Sequence, residues 1–256
     1  MDPLLSVQNC TMRFGGLTAV KGLNLQLFPQ ELVGLIGPNG AGKTTVFNLL
    51  TGVYRPVEGR IIFQGRDITG WKPHAIARLG IARTFQNIRL FGSMTVLQNV
   101  KVGARLHMRT GLWHASWRTY SMLMEEQEVE KEAWHLLREM GLDDVAHHLA
   151  RDLPYGEQRR LEIARALATH PRLLLLDEPA AGMNPQETAD LMELIRRLRD
   201  EYDITILLIE HDMKVVMGIC ERVIVLDYGE EIAQGTPQEI RTNPRVIEAY
   251  LGEAPV

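Results

Sequence analysis

The stretch GPNGAGKTT at positions 37–45 places three glycines around a lysine and two threonines in the spacing G-x-x-x-x-G-K-[ST]. An apolar run, ELVGLIG (31–37), leads into it, and Phe47, Leu49 and Leu50 mark a helix behind it. A glycine-rich turn from strand to helix wraps backbone N–H groups and the positive end of a helix dipole around phosphate. Gly37, Gly40 and Gly42 allow the backbone to come close, with Pro38 inside the turn. The N–H groups of Asn39, Gly40, Ala41, Gly42, Lys43, Thr44 and Thr45 can then surround a nucleotide's phosphates. Lys43 would reach the terminal phosphates and the Thr44 hydroxyl would bind Mg²⁺.

A second constellation closes the run LLLLDEP at 173–179. The C-terminal ends of parallel strands meet the crevice where α/β sheets bind ligands. Asp177 is placed there to hold Mg²⁺, directly or through water. Glu178, one residue on, points elsewhere and can accept a proton from an attacking water. His211 ends another apolar run, LLIEH. A lone histidine is commonly structural or exposed, but at this edge it can hydrogen-bond a terminal phosphate. Gln86, in ARTFQNIRLF, offers a donor and an acceptor suited to sensing Mg²⁺ and water. An ordinary surface glutamine is the equal alternative at that position.

One more phosphate-facing element stands apart. LPYGEQRRLEIARAL (153–167) is a short turn opening into a helix with the apolar stripe Leu161, Ala164, Leu167 and Ala168. It follows no phosphate-loop strand, so it is not expected to reach residues 37–45 of its own chain. The economical reading is that it faces the loop of a second copy, with nucleotide sandwiched in a head-to-tail dimer.

Positioning these groups takes a layered scaffold. Near-continuous apolar runs at 31–37, 172–178, 204–210 and 222–229 read as parallel strands covered on both faces. A helix over 185–202 carries Asn184 as its cap, Pro185 in its first turn and Glu187 three residues after the cap. Thr236, Pro237 and Glu239 repeat that device, and Asn243 and Pro244 start a last short helix. Residues 4–30 and 54–68 alternate as a small antiparallel sheet would. Residues 95–150 show no strand and read as helical throughout. The expectation is one α/β domain over 5–252. It has a P-loop parallel-sheet core with an antiparallel β subdomain (about 5–87 and 168–236), a helical insertion subdomain (about 88–167) and C-terminal helices (about 237–252).

The bulk numbers agree with that size. The chain has 256 residues, 45% of them hydrophobic, and a formal net charge of −4, which does not favour a nucleic-acid surface. Cys10 and Cys220 lack metal spacing and read as small apolar residues in a reducing compartment. No run approaches the ~18 apolar residues of a membrane span, and the first ten residues lack a signal peptide's regions. Membrane association is therefore expected through a partner.

Together these pieces resemble the nucleotide-binding subunits of ATP-binding cassette transporters, over nearly the whole chain. The phosphate loop, Gln86, the signature stretch at 153–158, the Asp177–Glu178 pair, AAGMN at 180–184 and His211 stand in that family's order and spacing. The resemblance implies a RecA-like core that hydrolyses ATP with Mg²⁺ to drive transport. It casts Glu178, His211, Gln86 and Lys43 as catalytic, and Thr44, Gln86 and Asp177 around Mg²⁺. It puts Phe14 on the adenine with Val20 beneath the ring, and Leu153, Pro154, Tyr155, Gly156 and Glu157 in trans.

Departures matter: the family's L-S-G-G-Q reads LPYGE here. Pro154 stands where a serine hydroxyl would bond phosphate, so that contact does not carry over, while Gly156 keeps its N–H. Phe14 replaces a commoner tyrosine and retains the π-face. MRFGGLTAV, RTFQNIRLFGSMTVLQNV and IEHDMKVVMGI are similar to the ATP-binding subunits of bacterial branched-chain amino acid importers. The long insertion fits that group too, with Trp113, Trp117 and Tyr120 at a spacing suited to ordinary helix packing.

The implied partners are a second ATP-binding subunit, identical or related, and integral membrane permease subunits. A periplasmic solute-binding protein takes part indirectly, and no nucleic acid is expected. The implied location is the cytoplasmic face of the inner membrane, peripherally. Three rivals stand beside this: a lipopolysaccharide-export ATPase, a urea or short-amide importer subunit, and a soluble cassette acting on ribosomes or DNA.

Overall fold

A computed structural model describes residues 2–107 and 120–251. Among these residues ten strands run in chain order: β1 (Leu5–Phe14), β2 (Leu17–Leu27), β3 (Leu32–Ile36), β4 (Glu58–Phe63), β5 (Arg66–Asp67), β6 (Ile81–Arg83), β7 (Leu173–Asp177), β8 (Thr205–Ile209), β9 (Arg222–Asp227) and β10 (Glu230–Gly235). They form two sheets, β2-β1-β4-β5 and β10-β9-β3-β8-β7-β6. The first is antiparallel, and β9 to β6 of the second pair in parallel.

The period of two explains why the central strands are apolar at every position. Leu32 and Ile36 of β3, Leu174 and Leu176 of β7, and Ile206 and Leu208 of β8 all enter one core. The alternate residues, Val33 and Leu35, Leu173 and Leu175, Leu207 and Ile209, enter another. A sheet with a core on each face has no position left for a polar side chain until the strand ends. The second core also holds Leu23, Leu25 and Leu27, the inward-facing half of β2.

The helices are α1 (Lys43–Leu50), α2 (Pro73–Leu79), α3 (Val96–Ala104), α4 (Tyr120–Glu139), α5 (Tyr155–Leu167), α6 (Pro185–Glu201), α7 (Met213–Ile219), α8 (Pro237–Arg241) and α9 (Pro244–Leu251). Asn184 and Glu187 close a reciprocal capping box on α6, as Thr236 and Glu239 do on α8. Such a cap stabilises a helix start by about 1 kcal/mol.

The structure departs from the sequence expectations at two points. The segment 95–150 is not helical throughout, because Gly141, at φ +62°, follows α4 and a series of turns carries the chain to a bridge between Thr95 and Leu149. The strands β6 and β10 were not expected; the first has only three residues and the second is polar and partly exposed. Trp113 and Trp117, expected to pack on a helix, fall outside the described residues.

Candidate functional site

The phosphate loop is shaped by positions where a side chain cannot stand. Gly37 has φ +148°, and a Cβ there would sit 2.0 Å from the Leu226 carbonyl oxygen. At Gly42, φ +101°, a Cβ would sit 2.4 Å from the Ala19 carbonyl oxygen. Gly42 caps α1, which starts at Lys43, so the first free N–H groups of the helix open onto the loop. The Gly229 N–H donates to the Ala41 oxygen at 3.0 Å and ties the loop to the β9–β10 turn. Lys43 is buried, and its Nζ donates to the Gly37 oxygen at 2.6 Å and the Pro38 oxygen at 2.9 Å. Burial pushes its pKa down, and the charges of Glu178 and Asp177 pull it part of the way back. Asn39, Gly40 and Thr44 are exposed, Pro38 and Thr45 partly so, and Ala41 is buried.

Phe14 closes β1 with its ring 41% exposed and edge-on to Tyr54, the centroids 5.0 Å apart. Val20 lies fully buried in the core behind it. It therefore presents no surface to a ligand, and the expectation of Val20 beneath an adenine ring is corrected to a core position.

Asp177 is the last residue of β7 and is buried. Its Oδ2 accepts a 2.7 Å bond from Arg83, whose side chain is 6% exposed. Arg83 also donates to Asn48 Oδ1 at 2.7 Å and lies over the rings of Phe47 and Phe85. Glu178 then takes φ +47°, a conformation uncommon for a residue with a Cβ, while its N–H donates to the Ile209 oxygen at 2.9 Å. The sharp turn separates the two carboxylates. Glu178 Oε2 accepts a 2.9 Å bond from Gln86 Nε2 and lies 3.6 Å from His211 Nδ1. The structure thus brings Gln86, Glu178 and His211 together, and His211 is exposed.

Pro154 and Tyr155 are exposed, Gly156 and Glu157 partly so, and Leu153 is buried. No hydrogen bond or ion pair among the described residues joins 153–157 to the loop at 37–45.

The model of the family described as ABC transporter matches residues 20–181, spanning the loop, Gln86, the 153–157 stretch and the Asp177–Glu178 pair. The chain belongs to the ATP-binding cassette transporter family. A second family model, described as branched-chain amino acid ATP-binding cassette transporter, matches residues 230–255 of the cassette. The cassette is 53% identical over 253 residues to the high-affinity branched-chain amino acid transport ATP-binding protein LivG of Escherichia coli (strain K12), covering 99% of both chains. It is 52% identical over 252 residues to the corresponding protein BraF of Pseudomonas aeruginosa, covering 98% of this chain and 99% of the other. Among solved structures it is similar to the ADP conformation of MJ1267, an ATP-binding cassette of an ABC transporter. That match has TM-score 0.85, 31% identity and coverage of 99% and 100%.

The donors of the cassette suit one hard cation brought in with phosphates: a hydroxyl at Thr44, a carboxylate at Asp177 and an amide at Gln86. Among the described residues no group of three or more histidine, cysteine or acidic side chains forms a metal cage, so the ion's remaining ligands would be phosphate oxygens and water.

Sequence reasoning missed three participants. Arg83 sits in a strand too short to be read. Glu210 is buried at the end of β8, where it accepts from the N–H groups of Ala180 at 3.1 Å and His211 at 3.3 Å. Burial pushes its carboxyl pKa up. Arg159, in a run of charges, is fully buried; its pairing with Glu162 three residues on was the available signal.

Proposed function

We propose that this cassette is the ATP-hydrolysing subunit of an importer for branched-chain amino acids. The full-length similarity to LivG and BraF supports the solute. The observation that carries the chemistry is the Glu178 carboxylate, held by Gln86 and close to His211 at the end of β7, where its charge acts on Lys43 of the phosphate loop. In this reading residues 5–252 act as one ATPase domain, with 88–167 as its helical part.

Catalysis is positioning and charge stabilisation of the transferred phosphoryl group. The 37–45 N–H groups orient the phosphates, and Lys43 leaves its two loop carbonyls to meet them. Phe14 offers its ring face to adenine. Thr44, Asp177 and Gln86 would hold Mg²⁺, which neutralises phosphate charge when bound. Glu178 takes the proton of a water that Gln86 orients, and His211 donates a hydrogen bond to the terminal phosphate.

The 153–157 turn, exposed at Pro154 and Tyr155, has among the described residues no bond to its own phosphate loop and takes a nucleotide from elsewhere, so the active pair is two cassettes, each sandwiching the other's ATP. A Cβ on Gly156 would meet only the exposed Glu187 carboxylate, with Oε1 at 3.6 Å and Cδ at 3.9 Å, so the site has room for a side chain. Gly156→Asp should therefore fold and bind ATP as a monomer. Its carboxylate would face phosphate and block the ATP-dependent dimer. Size-exclusion chromatography with ATP reads this, and loss of nucleotide binding by the monomer would place the turn in cis.

No helix among the described residues is long and apolar enough to cross a membrane, so the membrane path is assigned to permease partners. A groove of about 570 Å³ beside Gln86 is lined by Phe85, Arg89, Leu90, Phe91 and Arg165, among others. Of the apolar residues after Gln86, Leu90 and Phe91 line it, while Ile88 and Met94 do not. A short cytoplasmic helix of the permease is the occupant that fits. Phe91, 45% exposed, is the side chain to test. Phe91→Asp should release the cassette from permease-containing membranes and leave ATP binding within about twofold, because the docked helix loses the apolar ring, a contact of about 1.5–3 kcal/mol, to a carboxylate beside Arg165.

The test of the whole reading is uptake. Deleting the chain should abolish concentrative import of leucine, isoleucine and valine at low external concentration. Normal leucine uptake together with lost urea uptake, or with a defective outer membrane, would move the assignment to one of the sibling systems.

A further inference from the structure

Among the described residues Arg159 is the largest side chain fully withdrawn from solvent, at 0% exposure. Burying a guanidinium is costly unless its donors are matched. Arg159 Nη1 donates to the Phe85 oxygen at 2.7 Å and to Glu162 Oε2 at 2.9 Å. Its Nη2 donates to the Gln86 oxygen at 2.9 Å and to the Tyr155 hydroxyl at 3.1 Å. Glu162, itself 1% exposed, accepts from the Arg89 N–H at 3.1 Å with its other oxygen. Arg165 donates to the Arg89 oxygen.

Residues 159, 162 and 165 stand three apart on one face of α5. They hold the backbone of 85–89 to that helix at Phe85, Gln86 and Arg89. The Gln86 side chain reaches the other way, to Glu178 at 2.9 Å. One residue is therefore bound by its backbone to the helix that begins at the signature turn and by its side chain to the catalytic carboxylate. The Tyr155 ring, one turn from Arg159, also packs beside Gly182 in the loop after Glu178.

We propose that Arg159, seated by Glu162, is a positioning residue for hydrolysis: it fixes the Gln86 backbone to α5, so that Gln86's hold on Glu178 follows the orientation of the signature helix. The proposal rests on the functional reading above. In a dimer, the nucleotide that α5 faces belongs to the partner. Its arrival turns α5 and resets Gln86 against Glu178 in this chain, which links the two sites without contact between the two nucleotides.

A kinetic cycle on the full chain tests it. Arg159→Met with Glu162→Leu removes both buried charges, so neither is left unpaired. That double variant and Gln86→Ala should each lower kcat about tenfold, with KM for ATP within about twofold. Combined, they should fall no further than Gln86→Ala alone, because the clamp acts only through Gln86. Effects that multiply to about a hundredfold overturn the proposal, as does an unchanged kcat accompanied only by a lower melting temperature. Arg159→Lys is the second variant: it keeps a charge beside Glu162 but cannot fork to two carbonyls, and it should show the same non-multiplication with Gln86→Ala. Failure of the functional reading looks different, since the unmodified chain would then not hydrolyse ATP.

Discussion

Glu178→Gln is expected to keep MgATP bound and to slow its hydrolysis by about 10²- to 10⁴-fold, the contribution of a positioned general base. The substitution is nearly isosteric. A glutamine oxygen can still accept from Gln86 Nε2, which stands 2.9 Å from the carboxylate now. The strained backbone at φ +47° is held by the Glu178 N–H bond to Ile209, which the change does not touch. Only the ability to take a proton is lost. Single-turnover phosphate release and equilibrium nucleotide binding, measured on the same preparation, separate the two effects. Turnover near the unmodified rate would remove Glu178 from the role of base. Turnover and binding lost together would mean that the carboxylate shapes the site rather than serving its chemistry.

How much of this arrangement could be read beforehand depended on whether a residue's partners were near it in sequence. The phosphate loop was legible because strand, turn and helix are contiguous and the glycines have steric reasons to be there. The β3, β7, β8 and β9 strands were legible because burial on two faces leaves long apolar runs. The same logic hid β6: three residues, IAR, carry no period. With β6 went Arg83, whose partners Asn48 and Asp177 lie 35 and 94 positions away.

Arg159 was hidden for another reason: buried arginines are rare, and RR in LPYGEQRRLEIARAL carries no local sign of burial. The backbone oxygens of Phe85 and Gln86 that make Arg159 tolerable inside belong to another segment, more than 70 positions back. Val20 shows the converse. Family resemblance put it against a ligand, whereas the structure buries it in the core: alternation from Leu23, Leu25 and Leu27 would turn it outward, and the register shift at Gly22, φ +56°, turns it in.

Arg83→Met should be strongly destabilising. Arg83 and Asp177 are 6% and 4% exposed, 2.7 Å apart, and among the described residues no other cation bonds Asp177. Removing Arg83 leaves the buried carboxylate without a bonded cation, with only the nearby charge of Lys43 acting on it, at a cost of up to about 3–5 kcal/mol. For a chain of this size that corresponds to a fall in melting temperature of roughly 6–20 °C. Methionine keeps much of the volume between Phe47 and Phe85, so packing loss is the smaller part.

Charge should therefore account for most of the loss, and Asp177→Asn should recover most of it in the Arg83→Met background, since replacing both members of a buried pair is often near neutral. Urea unfolding of the nucleotide-free chain, run on both single variants and the double, measures the coupling directly. A loss below about 1 kcal/mol in Arg83→Met, or no recovery in the double variant, would show that the pair is screened by solvent and that Arg83 does not hold the Asp177 carboxylate in place.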